Sequence, residues 1–197
     1  MESSTIIIWS VVIIVILVTA GIVAAYYRGQ KTRDKANTAW DDMMKAVTAK
    51  FVFLQSSQKM FTALPSHDVD TTVERVCNAY AKGYQNHSID DITVGEKLFF
   101  ETLVPQLVLW MKEHADDVTG TTMERFVSTL GERHNNMSKE LKKYNETIYA
   151  VNGSFEHFPL SVFANKFMDE NMFGTMKYKE SLQHSDFDIL LETAKDT

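Results

Sequence analysis

The chain has 197 residues with 20 Lys and Arg against 26 Asp and Glu, a net charge of −6, a single cysteine and an apolar share of 45%. That length accommodates one anchor and one domain, and the lone Cys77 excludes an internal disulfide framework and a paired-cysteine metal site. The acidic balance, with basic residues clustered only in one short juxtamembrane stretch, speaks against nucleic acid as a partner.

Residues 6–27, opening on Ile6 and closing on Tyr27, carry no charge and are rich in Ile, Val and Leu. As a helix this run would span ~33 Å, against a hydrocarbon core of ~30 Å. Trp9 near one end, with Tyr26 and Tyr27 at the other, stand where interfacial aromatics are expected. The residues ahead of it, Met1 to Thr5, lack the positive start of a secretory signal, so a permanent transmembrane helix is expected, in contact with the lipid bilayer. Arg28, Lys31, Arg33 and Lys35 follow the run while Glu2 precedes it, which places the N-terminus outside and the domain in the cytoplasm. The division expected is an N-terminal tail and anchor over 1–28, a helical bundle over 29–180 and a flexible C-terminal tail over 181–197.

From Ala36 to Leu64 a seven-residue repeat carries Trp40, Val47, Leu54 and Phe61, with Met44 and Phe51 beside it. This helix is able to continue directly from the anchor, Gly29 being the only obstacle. Pro65-Ser66-His67-Asp68 breaks the pattern and offers Ser66 or Asp68 as a cap. Val69, Val73, Val76 or Cys77, Tyr80 and Tyr84 mark a shorter amphipathic helix. The polar stretch from Asn86 to Gly95 reads as a loop. Lys97 to His114 reads as a helix with few positions left for solvent, kinked or split by Pro105. Asp116 to Gly120 reads as a turn.

The longest pattern runs from Thr121 to Pro159. Met123, Leu130, Met137, Tyr144, Val151 and Phe158 form one row, and Val127, His134, Leu141, Ile148 and Phe155 the next. Thr121 with Glu124 suggests a capping box, and Pro159 ends the helix. The result is a rod of about 35 residues, ~50 Å long, whose apolar stripe requires neighbouring helices. After Pro159, Leu160, Val162, Phe163 and Phe167 suggest a short helix folded back on the bundle. Beyond Lys179, Phe187, Ile189, Leu190 and Leu191 stand out from a polar tail that reads as frayed. The fold expected is all-α: a transmembrane helix, then an antiparallel bundle of long helices with coiled-coil character.

Reactive constellations are sparse. No phosphate-binding glycine loop, His-Glu-x-x-His or paired-cysteine motif is present, so no cofactor or metal is expected. Of six histidines, His134 alone falls on an apolar stripe. A core histidine is ordinarily hydrogen-bonded to a facing helix. The sharper reading makes it a pH-responsive or metal-binding position beside a carboxylate. Glu132 and Glu140 do not lie at helical contact spacing from it, so its partner must come from another helix. The sequons headed by Asn136, Asn145 and Asn152 fall inside the rod and are read as chance matches, unlike Asn86 in the expected loop.

Tyr144-Asn145, Ile148, Asn152, Phe155, Phe158-Pro159 and Ala164 resemble the signature of the LemA family of bacterial membrane proteins, with every spacing kept over about residues 123–164. The family usually has Glu and Arg at the positions that this register assigns to His134 and Leu141, and a Gly-Phe pair after the Ala. The resemblance implies an N-terminal anchor with a short outer tail, an antiparallel helical domain at the inner (plasma) membrane, and a role nearer scaffolding than catalysis. Asn145 and Asn152, seven residues apart, sit just past the apolar stripe, where an Asn fixes helix register. The expected function is that of a non-enzymatic scaffold or oligomerisation module, partnered by itself or by another membrane-associated protein. The alternatives are a membrane-tethered enzyme or accessory subunit with a polar site around His134, and an extracytoplasmic sensor domain.

Overall fold

The computed structural model describes residues 2–62, 67–113 and 120–167 of the chain. Every element among them is helical: α1 (Glu2–Thr62), α2 (His67–Asn86), α3 (Ile89–Leu98), a π-helical turn (Phe99–Leu103), α4 (Val104–Glu113), α5 (Gly120–Phe155), a 3-10 turn (Leu160–Phe163) and α6 (Ala164–Phe167). The expected all-α architecture is what the chain adopts. The side chains of Thr121, Ser66 and Phe61, together with Asp116 and the tail beyond Phe167, lie outside the described residues, as do the expectations placed on them.

The expected anchor and the first bundle helix are one 61-residue element, α1. Its N-terminal part makes it the single described helix long and apolar enough to cross a membrane. Contact pairs set the helix directions. Asp42 meets Lys143, Lys50 meets His134 and Phe53 stacks on Phe126, so α5 runs antiparallel to α1. Trp40 stacks on His87, and Cys77 reaches the Phe51 carbonyl, so α2 is antiparallel to α1 as well. These helices enclose a core that includes Met43, Leu54, Val73, Val76, Leu103, Leu107, Trp110, Leu130, Tyr144 and Ile148. Burying each such side chain contributes about 1.5–3 kcal/mol, which is what holds α5 as a 36-residue rod.

Two sequence expectations are corrected, and a third is met in altered form. Residues 89–98 form a helix rather than a loop, because Ser88 caps it by accepting the Asp91 N–H at 3.2 Å while Ile89 and Ile92 are buried. The disturbance expected at Pro105 is present, between α3 and α4. A π-turn just ahead, closed by the Val104 N–H on the Phe99 carbonyl, absorbs the missing donor and the ring's clash with the preceding turn. Phe158 and Tyr84 are not core residues. Phe158 lies beyond the end of α5 and is 84% exposed, and Tyr84 near the end of α2 is exposed too. The short helix after Pro159 does fold back on the bundle, with Phe167 buried.

A buried polar quartet at the candidate functional site

One ionisable or hydroxyl-bearing side chain from each of four helices meets inside the bundle. Along α1 the buried row reads Met43, Val47, Lys50, Leu54, so a lysine occupies a core position. Along α3 and the π-turn it reads Ile89, Ile92, Glu96, Phe99, Leu103, with a glutamate in the row. Along α5 it reads Val127, Leu130, His134, Met137, Leu141. Tyr80 follows Val73, Val76 and Cys77 on α2. Lys50 and Glu96 are 0% exposed and His134 1%.

The Lys50 ammonium donates to Glu96 Oε1 at 2.7 Å and to His134 Nδ1 at 3.2 Å, and stands 3.6 Å from the centre of the Phe99 ring. Three donors thus find two acceptors and one aromatic face. The Tyr80 hydroxyl also donates to Glu96 Oε1. Because Nδ1 of His134 accepts, its proton belongs on Nε2, which faces the Ser138 hydroxyl at 3.1 Å. The imidazole lies parallel to Phe99 and edge-on to Phe100, ring centres 6.0 and 4.9 Å away. Glu96 Oε2 has no hydrogen-bond partner among the described residues and lies 3.8 Å from His134 Nδ1.

A close helix approach brings Tyr80 to Glu96. A Cβ on Gly95 would stand 2.8 Å from two carbons of the Tyr80 ring, so a larger residue there would push α2 and α3 apart. Burial drives the Lys50 pKa below the usual lysine value, and the attraction and hydrogen bond of Glu96 oppose that fall. Loss of water is the larger effect, and the glutamate offsets part of it.

The quartet suits register-setting better than turnover. Its charged groups are closed to solvent, and a buried, mutually hydrogen-bonded pair of this kind specifies one packing of the helices it joins. A surface groove of about 900 Å³, lined by Trp40, Met44, Lys45, His87, Arg133 and others, does not include it. His134 therefore has the carboxylate that a polar-site reading requires, on another helix as expected, but it is Glu96. Lys50, Glu96 and Tyr80 were not anticipated. The first two were legible as charged residues at apolar helical spacing.

The resemblance motif is dispersed over the other end of α5. Tyr144 is buried with its ring edge against Trp40, at 5.8 Å. Asn145, Asn152, Pro159 and Ala164 are half-buried, and Phe158 faces outward. No group of three or more His, Cys, Asp or Glu residues suited to a metal ion occurs among the described residues. Comparison of the chain with protein-family models, curated proteins and solved structures gives no match.

Proposed function

We propose that this chain is a single-pass protein of LemA type whose helical domain sits on the cytoplasmic face of a bacterial inner membrane and works by contact with a second copy of itself rather than by catalysis. The observation that carries the reading is α1, a single helix that leaves an all-round apolar segment and becomes a wall of the bundle. A domain fixed to its anchor in this way is suited to hold a place and an orientation. The closure of the Lys50–Glu96–His134 cluster supports a structural use of its polar groups. Arg28, Lys31, Arg33 and Lys35 after the apolar run support the orientation.

Chemical cross-linking of the full-length protein in mild detergent, followed by sedimentation, tests it. A defined oligomer is expected, and a C-terminal reporter is expected to report from the cytoplasm. A species that sediments as a monomer and gives no adduct overturns the reading.

The contact between Lys50, Glu96 and His134 favours one rival, an accessory site in which the histidine moves a proton. His134→Ala separates the two. The structural reading expects lower stability, whereas the rival expects lost activity of an associated enzyme at unchanged stability.

A further inference from the structure

Residues 6–24 of α1 are exposed along their whole length, and then the pattern changes abruptly. Ala25 is 1% exposed and Gly29 is buried, so a covering layer begins about one turn before the first basic residue, Arg28. The cover is the corner that follows α5. The Tyr26 ring packs against Phe163 and Phe167, with centres 5.9 and 5.3 Å apart. A Cβ on Gly29 would stand 2.8 Å from the Phe167 ring, so contact there is with bare backbone. Lys166 Nζ lies 4.9 Å from the centre of the Tyr26 ring. The 3-10 turn and α6 are thereby held at the height where the apolar run gives way to charge.

Two large apolar side chains on this corner turn away from the protein. Phe158 is 84% exposed and Val162 69%, although Phe163 and Phe167 beside them pack inward. Exposed Tyr27 stands at the same level on α1, as do exposed Arg28 and Lys31, with Lys166 on α6. Ser154, Glu156 and His157 on the approach to the corner, and Ser161 and Asn165 on the corner itself, are exposed polar groups as well. An apolar tip flanked by aromatics and basic side chains, next to the end of a membrane span, is the chemistry of a bilayer interface.

We propose that this corner is a second membrane contact, in which Phe158 and Val162 enter the headgroup layer where α1 leaves the bilayer and Arg28, Lys31 and Lys166 meet anionic lipid. The contact rests on the reading of residues 6–27 as a span. Its position follows from continuity: the corner is packed on the last turn of the apolar run, and the interfacial layer beyond the hydrocarbon is about 5–8 Å deep. The basic side chains add attraction to a negatively charged leaflet, which an uncharged one lacks. A bundle held at both α1 and this corner cannot rotate freely about its anchor.

Site-directed spin labelling of the full chain in vesicles of mixed phosphatidylglycerol and phosphatidylcholine tests the proposal. Single cysteines replace Phe158, mid-span Ile16 and exposed Val52. The native Cys77, buried with its thiol pushed up to about 11, reacts slowly, and the label taken up by the chain without an added cysteine is the background subtracted. Collision with oxygen relative to a water-soluble nickel complex is expected to be several-fold higher for Phe158→Cys than for Val52→Cys, and lower than for mid-span Ile16→Cys. A lipid-like Ile16→Cys with a water-like Phe158→Cys overturns the second contact alone. A water-like Ile16→Cys overturns the span and the contact together. A Phe158→Cys label that neither reagent reaches, or that broadens against a label on another copy, assigns the corner to residues 168–197 or to a dimer and overturns the proposal. Equal depth in phosphatidylcholine alone overturns the part played by Arg28, Lys31 and Lys166.

Discussion

Residues 6–24 and residues 36–54 belong to one helix, yet their polar atoms are satisfied in opposite ways. In the first segment the Ser10 and Thr19 hydroxyls donate to the Ile6 and Val15 carbonyls of the preceding turn, at 2.9 and 2.8 Å. The segment is self-sufficient, as a helix facing hydrocarbon must be. In the second, the Lys50 ammonium has no partner on its own helix among the described residues and depends on Glu96 and His134 from α3 and α5. Apolar residues cover the first segment on every side. In the second they occupy one stripe, and that stripe contains a charge. Hydrophobicity alone therefore marks the segment long and apolar enough to cross a membrane, whereas the segment that faces other helices is marked by where its polar exceptions fall.

The sharpest way to break this contrast is Lys50→Met. It leaves the Glu96 carboxylate buried without its cation and is expected to cost about 3–5 kcal/mol in denaturant unfolding. Adding Glu96→Leu should recover most of that loss. If the double variant is no more stable than the single one, the two charges are not coupled. Next in size, Ile14→Arg should lower membrane insertion by about 2.5–3.5 kcal/mol in a reporter assay. Val52→Arg, at an exposed bundle position of the same helix, should change stability by no more than about 0.5 kcal/mol.

Glycines sharpen the comparison further. Gly29→Ala drives a methyl into the Phe167 ring and is expected to cost about 1–3 kcal/mol on thermal unfolding, whereas a Cβ on Gly21 meets nothing within 4 Å and Gly21→Ala should be tolerated. Cys77 reports burial chemically. With its thiol pushed from 9.0 to about 11, the thiolate at pH 8 is roughly a hundredfold scarcer than in the unfolded chain, and reaction with a disulfide reagent should slow accordingly.

The smallest effect belongs to the exposed Asp42–Lys143 pair, at 3.3 Å. Hydrogen bonds from Lys143 and Lys45 lower the Asp42 pKa below 3.8, and hydrogen bonds to Asp42 and Glu140 raise that of Lys143 above 10.5. The Asp42 contribution is complete above 3.8 and fades as pH falls through the lowered value. The Lys143 contribution is complete below 10.5 and fades as pH rises through the raised one. Asp42→Asn should therefore weaken the fold slightly at neutral pH, and less in high salt.

Much of this frame was legible in the sequence because period and length are carried by many residues at once. The apolar run, the α5 rows through Val151 and Phe155, and the folded-back segment after Pro159 all rest on such redundancy. The features that escaped depend on single side chains whose neighbours lie far along the chain. Glu96 reads as solvated until its place between Ile92 and Phe99 is weighed, and Lys50 pairs with it across 46 positions. The α3 helix was hidden by polar composition, although Ser88 and the two aspartates that follow are an ordinary helix start. His134 was visible because its row is otherwise apolar, but its partner was not.

The unbroken course of α1 has a mechanical consequence. About 35 residues lie beyond Tyr27 on the same helix, an arm of ~50 Å at 1.5 Å per residue. If residues 6–27 span a bilayer, a ten-degree swing of the span in a thinner or thicker membrane would carry the far end of that arm sideways by about 9 Å. With no hinge to absorb it, lipid thickness would be transmitted as displacement at the tip, and the corner that carries Phe158 would be the brake on that movement.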